Sequence, residues 1–298
     1  MVCNQSPAEA ATSIILAKLE QGVSPWKRPW YTAAKKPRRH DGQLYRGINS
    51  ICLWIEADTY GYTSPYWMTE KQAFELGGSI PLNARSSVTY FFSYGNRSQI
   101  CPISGDVSTK TFRFMRTYRV YNADEIKGLP AYFYFCSEPK AMDDVERFEL
   151  ARQFFNPIPI KFGHRGGAAF YCPSTDEVVL PPVTRFDSYP DYLATKLHEF
   201  AHATGAPHRL NRKFGKKFGD EQYAKEELVA ELTSCIGANE LQLPSELHDS
   251  HASYIDQWVR IMQNDKNCII IAAAKAEQAY GWLSQFSSRT DNHAALAA

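Results

Sequence analysis

Several features that would place a 298-residue chain at once are missing from this one. No apolar run approaches the ~20 residues that cross a bilayer, so no membrane association is expected. Met1 to Glu20 shows no basic stretch followed by an apolar core and cleavage site, which argues against a secretory leader. The seven cysteines, at positions 3, 52, 101, 136, 172, 235 and 268, form no CxxC pair. They read as reduced thiols of a cytoplasmic protein rather than as a disulfide framework. Internal repeats and low-complexity tracts are missing, as are zinc-finger, helix-turn-helix and RNP signatures. What remains, 44% hydrophobic and 22% charged, is the composition of a soluble globular chain long enough for two domains.

The net charge of +1 hides an asymmetry. Residues 1–130 hold 16 Lys and Arg against 10 Asp and Glu, a net of +6, whereas the other 168 hold 17 against 22, a net of −5. The basic half suits a polyanion. Helical periodicity is expected over residues 7–22, around 51–55, over 69–76 and 145–155, and over about 245–263 and 267–286. The stretches 88–94, 112–121, 158–162 and 168–180 read as strands. The fold class is therefore α+β in two domains, 1–136 and 145–298, joined by a polar linker over 137–144 around Pro139.

The strongest local signal is an HExxH motif, His198 to His202, within Ser188–Gly205. Pro190 suits a first helical turn, and Gly205 followed by Pro207 ends the helix. At 100° per residue, Leu193, Leu197, Phe200 and Ala201 share one face, and His198 and His202 stand one above the other on another. Two imidazoles so placed reach one tetrahedral divalent metal, zinc first and manganese or another ion as alternatives. Glu199, one position round, reaches a water polarised by that ion and serves as general base.

Two residues compete as third ligand. His208 completes the longer pattern HExxHxxGxxH, which also expects a methionine turn, yet Met262, the only downstream methionine, lies in a strongly helical stretch. The rival is the helix around Tyr223–Leu232. There Leu228, Val229, Leu232 and Ile236 form a buried arc flanked by Glu227 and Glu231, while Glu226 projects well away. Glu227 is the expected ligand and Glu231 the acceptor that holds a ligand imidazole. Tyr223, His208 and Arg209 stay open as oxyanion-stabilising groups. The hairpin over 166–180 offers an edge strand to an extended peptide.

Between Pro25 and Arg46 lie Trp26, Lys27, Arg28, Trp30, Arg38, Arg39, Tyr45 and Arg46 against one acid, Asp41. Aromatic rings interleaved with cations combine base stacking with phosphate contacts, the recipe for single-stranded nucleic acid. Asn49, Trp67 and Lys71 extend that surface.

These segments resemble a known family. Leu19–Trp30, Tyr45–Asn49, Tyr66–Gln72, Leu76–Gly78 and Tyr121–Pro130 are similar to the N-terminal domain of ArdC-type antirestriction proteins. Tyr171–Glu177, His198–Gly205, Arg209–Arg212 and Tyr223–Glu231 are similar to their zincin-like, gluzincin-type C-terminal domain. The resemblance implies a plasmid- or phage-borne protein that binds single-stranded DNA and shields incoming DNA from host restriction. It also favours Glu227 over His208. Ala206 departs from the pattern, which commonly has His directly after the Thr-Gly pair, and Tyr121 stands where Phe is usual. The rival expectation is an active zinc endopeptidase that cleaves a host protein and uses its DNA-binding domain for targeting.

Overall fold

Short polar side chains mark where the helices begin. In the computed structural model, which describes residues 6–20, 36–100, 107–134, 143–213, 215, 220–241, 243 and 252–287, Ser6, Thr69 and Asp143 each form a reciprocal capping box with the residue three positions on. Such boxes satisfy two of the amide donors that every helix start leaves over. The elements in chain order are α1 (Pro7–Leu19), β1 (Arg38–Arg39), α2 (Ile48–Tyr60), β2 (Tyr66–Met68), α3 (Glu70–Glu75), β3 (Ser87–Ile100), β4 (Val107–Asn122), α4 (Asp144–Phe155), β5 (Lys161–His164), β6 (Phe170–Cys172), β7 (Glu177–Leu180), α5 (Tyr189–Ala203), α6 (Glu221–Glu240), α7 (Ala252–Asn264) and α8 (Cys268–Ser284).

The first sheet has the order β1-β2-β4-β3, and the second β5-β7-β6. In the first, β3 and β4 pair antiparallel from Ser87 opposite Val120 out to Ile100 opposite Val107. At about 3.4 Å per residue this ribbon is roughly 45 Å long. It outruns the expected 88–94 and 112–121 because the backbone ladder continues through Asn96–Gln99 and Ser108–Thr111, where no apolar alternation signals a strand. β5 starts later than expected: Ile158 and Ile160 are buried in a turn closed by the Ile160 N–H to the Ile158 carbonyl, 2.8 Å.

One large apolar cluster is built from both halves of the sequence. Ala11, Ile15 and Leu19 of α1, Ile48, Ile51 and Ile55 of α2 and Tyr90 of β3 pack with Leu228 and Leu232 of α6, Trp258 and Met262 of α7 and Ile269 of α8. Two long-range bonds tie the same surfaces: Thr12 Oγ1 donates to the Lys266 carbonyl at 2.7 Å, and the Gly47 amide donates to Glu277 Oε1 at 3.0 Å. A second cluster joins α4, β7, α5 and α8 through Phe154, Phe155, Leu180, Leu197, Phe200 and Leu283. The main core therefore joins residues on both sides of the expected boundary. Of the expected linker, residues 137–142 lie outside the described residues, and Asp143 caps α4. No helix among the described residues is long and apolar enough to cross a membrane.

Candidate metal centre and nucleic-acid groove

Ser188 caps α5 by accepting from the Asp191 amide, with Pro190 in the first turn. Leu193, Leu197, Phe200 and Ala201 are all essentially buried, so the helix is anchored by its apolar side. This turns His198, Glu199 and His202 toward α6. The Nε2 atoms of His198 and His202 stand 3.1 Å apart, and the two Glu227 oxygens lie 3.4 Å and 3.5 Å from them. Three donors bound tetrahedrally at ~2.0–2.1 Å would be separated by roughly 3.3 Å. The observed edges match, and these are the atoms that could hold a metal.

The charge balance points the same way. Four carboxylates, Glu199, Glu226, Glu227 and Glu231, are each no more than 8% exposed around two imidazoles. Burial acts to raise the Glu227 carboxyl, but the hydrogen-bonded imidazoles outweigh it and hold it well below the usual range. Burial likewise opposes a charged His202, yet Glu226 and Glu227 overcome it and raise the ring to about 10. A centre that draws positive charge so strongly fits a divalent cation.

Beneath the donors lies a second layer, only part of which the spacing revealed. Glu231 Oε2 faces His198 Nδ1 at 3.9 Å, within ion-pair range but longer than a hydrogen bond. Glu226, expected to project well away, is buried with Oε1 3.4 Å from His202 Nδ1. The reason is the loop after α5. Asn211, with φ of 47°, bends the chain back so that the Arg212 amide reaches the Gly205 carbonyl at 2.9 Å. The Arg212 guanidinium then donates to both Glu226 oxygens, with a shortest contact of 2.6 Å, to Thr204 Oγ1 and to the Ala201 carbonyl. Helical spacing alone gives neither Glu226 nor Arg212 this role. The one available signal was the clustering of Arg209–Arg212 directly after the motif.

His208 stands elsewhere. Its side chain is 62% exposed, with Nε2 3.3 Å from Asp176 Oδ2. Arg209 is bound to the same Asp176 at 2.7 and 2.8 Å and to the Ala203 carbonyl at 2.8 Å. Of the three oxyanion candidates, Tyr223 is the one beside the donors: burial, then the nearby Glu227 charge, push its phenol far up. The expected hairpin is present as β6 and β7, and β6 is a sheet edge.

In the N-terminal half, Arg39, Tyr45, Arg46 and Asn49 line one open groove of about 940 Å³ together with His40, Gln72, Phe91 and Tyr118. The Arg39 guanidinium lies 6.0 Å from the Tyr45 ring centre. Arg38 reaches away to the Gly42 carbonyl at 3.0 Å, and Lys71 sits by Glu75 at 3.7 Å. Two expectations need correction. Trp67 is 1% exposed, packed edge-on against Tyr62, so it has no face to offer a base. The amide of Asn49 is occupied by the Tyr90 backbone, donating to its carbonyl and accepting from its N–H, both at 2.7 Å. It clamps the groove floor instead of reaching outward. Trp26, Lys27, Arg28 and Trp30 lie outside the described residues.

Comparison with known proteins sets these features in a family. Residues 5–121 match the model for the N-terminal domain of anti-restriction factor ArdC, and residues 149–275 that for a zincin-like metallopeptidase. The crystal structure of Mn(II)-bound antirestriction protein ArdC from plasmid R388 is 32% identical and superposes with a TM-score of 0.78, over 96% of this chain and 100% of that one. Its metal-free form gives 0.77. The chain belongs to the ArdC family of antirestriction proteins. An uncharacterised member-like protein, y4eC of Sinorhizobium fredii, is 32% identical over 92% of this chain and 90% of its own length. DNA primase TraC of Escherichia coli is 32% identical over 94% of this chain, which spans only 27% of that longer protein. Where ArdC proteins commonly have His after the Thr-Gly pair, Ala206 here is 1% exposed, filling a packed position with a methyl group.

Proposed function

We propose that this chain binds single-stranded DNA through its N-terminal half and, in the cytoplasm, shields plasmid DNA entering by conjugation from host restriction. The observation that carries this reading is the open groove lined by Arg39 and Arg46 together with Tyr45, Phe91 and Tyr118, against one acid, Asp41. Cations there meet phosphates while ring faces meet bases. In the other half, His198, His202 and Glu227 would hold one divalent ion. Zinc suits a donor set of two imidazoles and a carboxylate, and manganese, present in a crystal structure of R388 ArdC, is its competitor.

A second reading, an active endopeptidase brought to its protein target by DNA, is favoured by the buried Glu199 and by Tyr223 beside Glu227. The ion would supply Lewis acidity toward a peptide carbonyl. Glu199 would take up and release a proton at its carboxylate. Glu226 would accept from His202 Nδ1, leaving the Nε2 lone pair directed inward. Tyr223 would donate its phenolic hydrogen to developing negative charge.

A restriction-protection assay with wild type and Glu199→Gln separates the two. DNA shielding predicts unchanged protection in the variant. Lost protection with DNA binding intact would make the chain a peptidase first. Oligonucleotide binding by wild type should weaken steeply as salt rises, and an absent or salt-indifferent signal would sink the DNA reading.

A further inference from the structure

We propose that the outward face of the β3–β4 ribbon is a stacking platform for single-stranded DNA that continues the groove. This rests on reading the N-terminal half as DNA-binding, and it assigns the contact to side chains that the Trp/Arg-rich segment does not contain.

Directly opposed residues of an antiparallel pair share a face, and faces alternate along each strand. One face of the ribbon carries Val88, Tyr90, Phe92 and Met115, which pack on the cluster formed with the helices. The other carries the opposed pairs Thr89/Tyr118, Phe91/Arg116, Ser93/Phe114 and Gly95/Phe112. Tyr118, Phe91 and Phe112 are 46%, 51% and 46% exposed, and Phe114 is partly exposed. The rings meet in two pairs along the face. Phe91 and Tyr118 are edge to face at 6.3 Å, Phe112 and Phe114 are 5.8 Å apart, and the Arg116 guanidinium lies 5.0 Å from the Phe114 ring centre.

Gly95 shows how the row is laid out. A Cβ built there would come within 2.8 Å of Phe112 Cζ and 3.2 Å of Phe114 Cε1. The missing side chain is what lets these two rings reach across the ribbon at that point. Two pairs of aromatic rings with the Arg116 guanidinium between them, on the solvent side of a two-stranded ribbon, add nothing to the core, and such patches mark binding surfaces.

Charge identifies the occupant. The outward face carries Arg116 opposite Phe91 and the pair Arg97/Lys110, and neither strand contains Asp or Glu. A polyanion whose bases have free faces meets both requirements, whereas a duplex keeps its base faces stacked on one another. Phe91 and Tyr118 also line the groove with Arg39 and Tyr45, so platform and groove form one track.

The test uses the full chain, a fluorescently labelled single-stranded oligothymidine and a duplex of equal length. The pairs Phe91→Ala/Tyr118→Ala and Phe112→Ala/Phe114→Ala should each weaken single-strand binding by about tenfold or more. The slope of affinity against salt should not change, because the phosphate contacts stay. Arg116→Gln should instead reduce the slope by about 0.7. Phe91→Trp/Tyr118→Trp should retain binding, which excludes general damage to the ribbon. Tyr94→Ala, an exposed ring on the opposite face, should change affinity by less than about twofold. If wild type binds and the alanine pairs bind equally, the platform is overturned while the DNA-binding reading stands. If wild type does not bind, both fall. Alanine pairs that bind DNA normally but convert a dimer to a monomer would hand the face to a second copy of the chain.

Discussion

Arg212, ten residues after His202 and invisible to any helical projection, makes five hydrogen bonds, three of them to Glu226, which in turn stands beside the His202 imidazole. Both partners of the ion pair are buried, with side chains 4% and 6% exposed. Removing one therefore strands the other as an uncompensated charge. Arg212→Leu should destabilise the fold by about 3–5 kcal/mol in urea unfolding, and adding Glu226→Gln should restore a large part of that loss. It should also lower metal affinity about 10–100-fold in a titration with Zn(II), since the carboxylate that orients His202 is no longer held. Stability and affinity both within experimental error of wild type would refute the positioning role. That His198, His202 and Glu227 come together was legible in two steps: the i, i+4 spacing sets both histidines on one face of α5, and projection of α6 sets Glu227 beside its buried arc. Glu226 was not, because what buries it is a loop whose return path depends on the left-handed backbone at Asn211. Trp67 was misread for a related reason: three strand residues cannot reveal which face a sheet will cover.

At the level of elements, the donor cluster depends on how closely α5 lies on α6. Gly237 of α6 sets that approach. A Cβ there would fall 2.6 Å from Leu197 Cδ2 and 3.3 Å from Tyr280 Cε2, and Leu197 is fully buried, with no room to turn aside. Gly237→Ala gains roughly 0.5–1 kcal/mol of helix propensity, but overpacking costs typically 1–3 kcal/mol. A net loss of about 1–2 kcal/mol in urea unfolding is expected. Because Leu197 adjoins His198, metal binding should weaken as the helices separate. A variant as stable as wild type, or one that binds metal unchanged, would disprove this coupling. The helices themselves were legible from caps and periodicity. The length of the ribbon was not, because its outer half is polar on both strands, and hydrophobic alternation, the only local cue, stops before the ladder does.

Across the whole molecule, the basic and acidic halves of the sequence meet in one apolar cluster. Pairings between α1 or α2 and α6–α8 span more than 150 residues and leave no local trace. The two domains that the sequence suggests are the two that the family models match, and the core they share is what composition leaves unseen. Hydrogen exchange in moderate urea should show α1, α2, α7 and α8 opening together at a common free energy. Exchange of α1 and α2 at a free energy lower by more than about 2 kcal/mol would show that the halves fold independently. Bound metal adds to the stability of this shared unit by mass action, about 2.7 kcal/mol at a concentration 100 times its dissociation constant.

The bond from Thr12 to the Lys266 carbonyl ties α1 to the turn between α7 and α8, on which it packs. Recombination therefore cannot trim such a unit from the inside: a crossover between the halves would expose half of a core in each product, while one outside the helices moves the whole intact. DNA primase TraC of Escherichia coli, 32% identical over 94% of this chain and matched over 27% of its own length, holds the corresponding unit entire within a longer polypeptide.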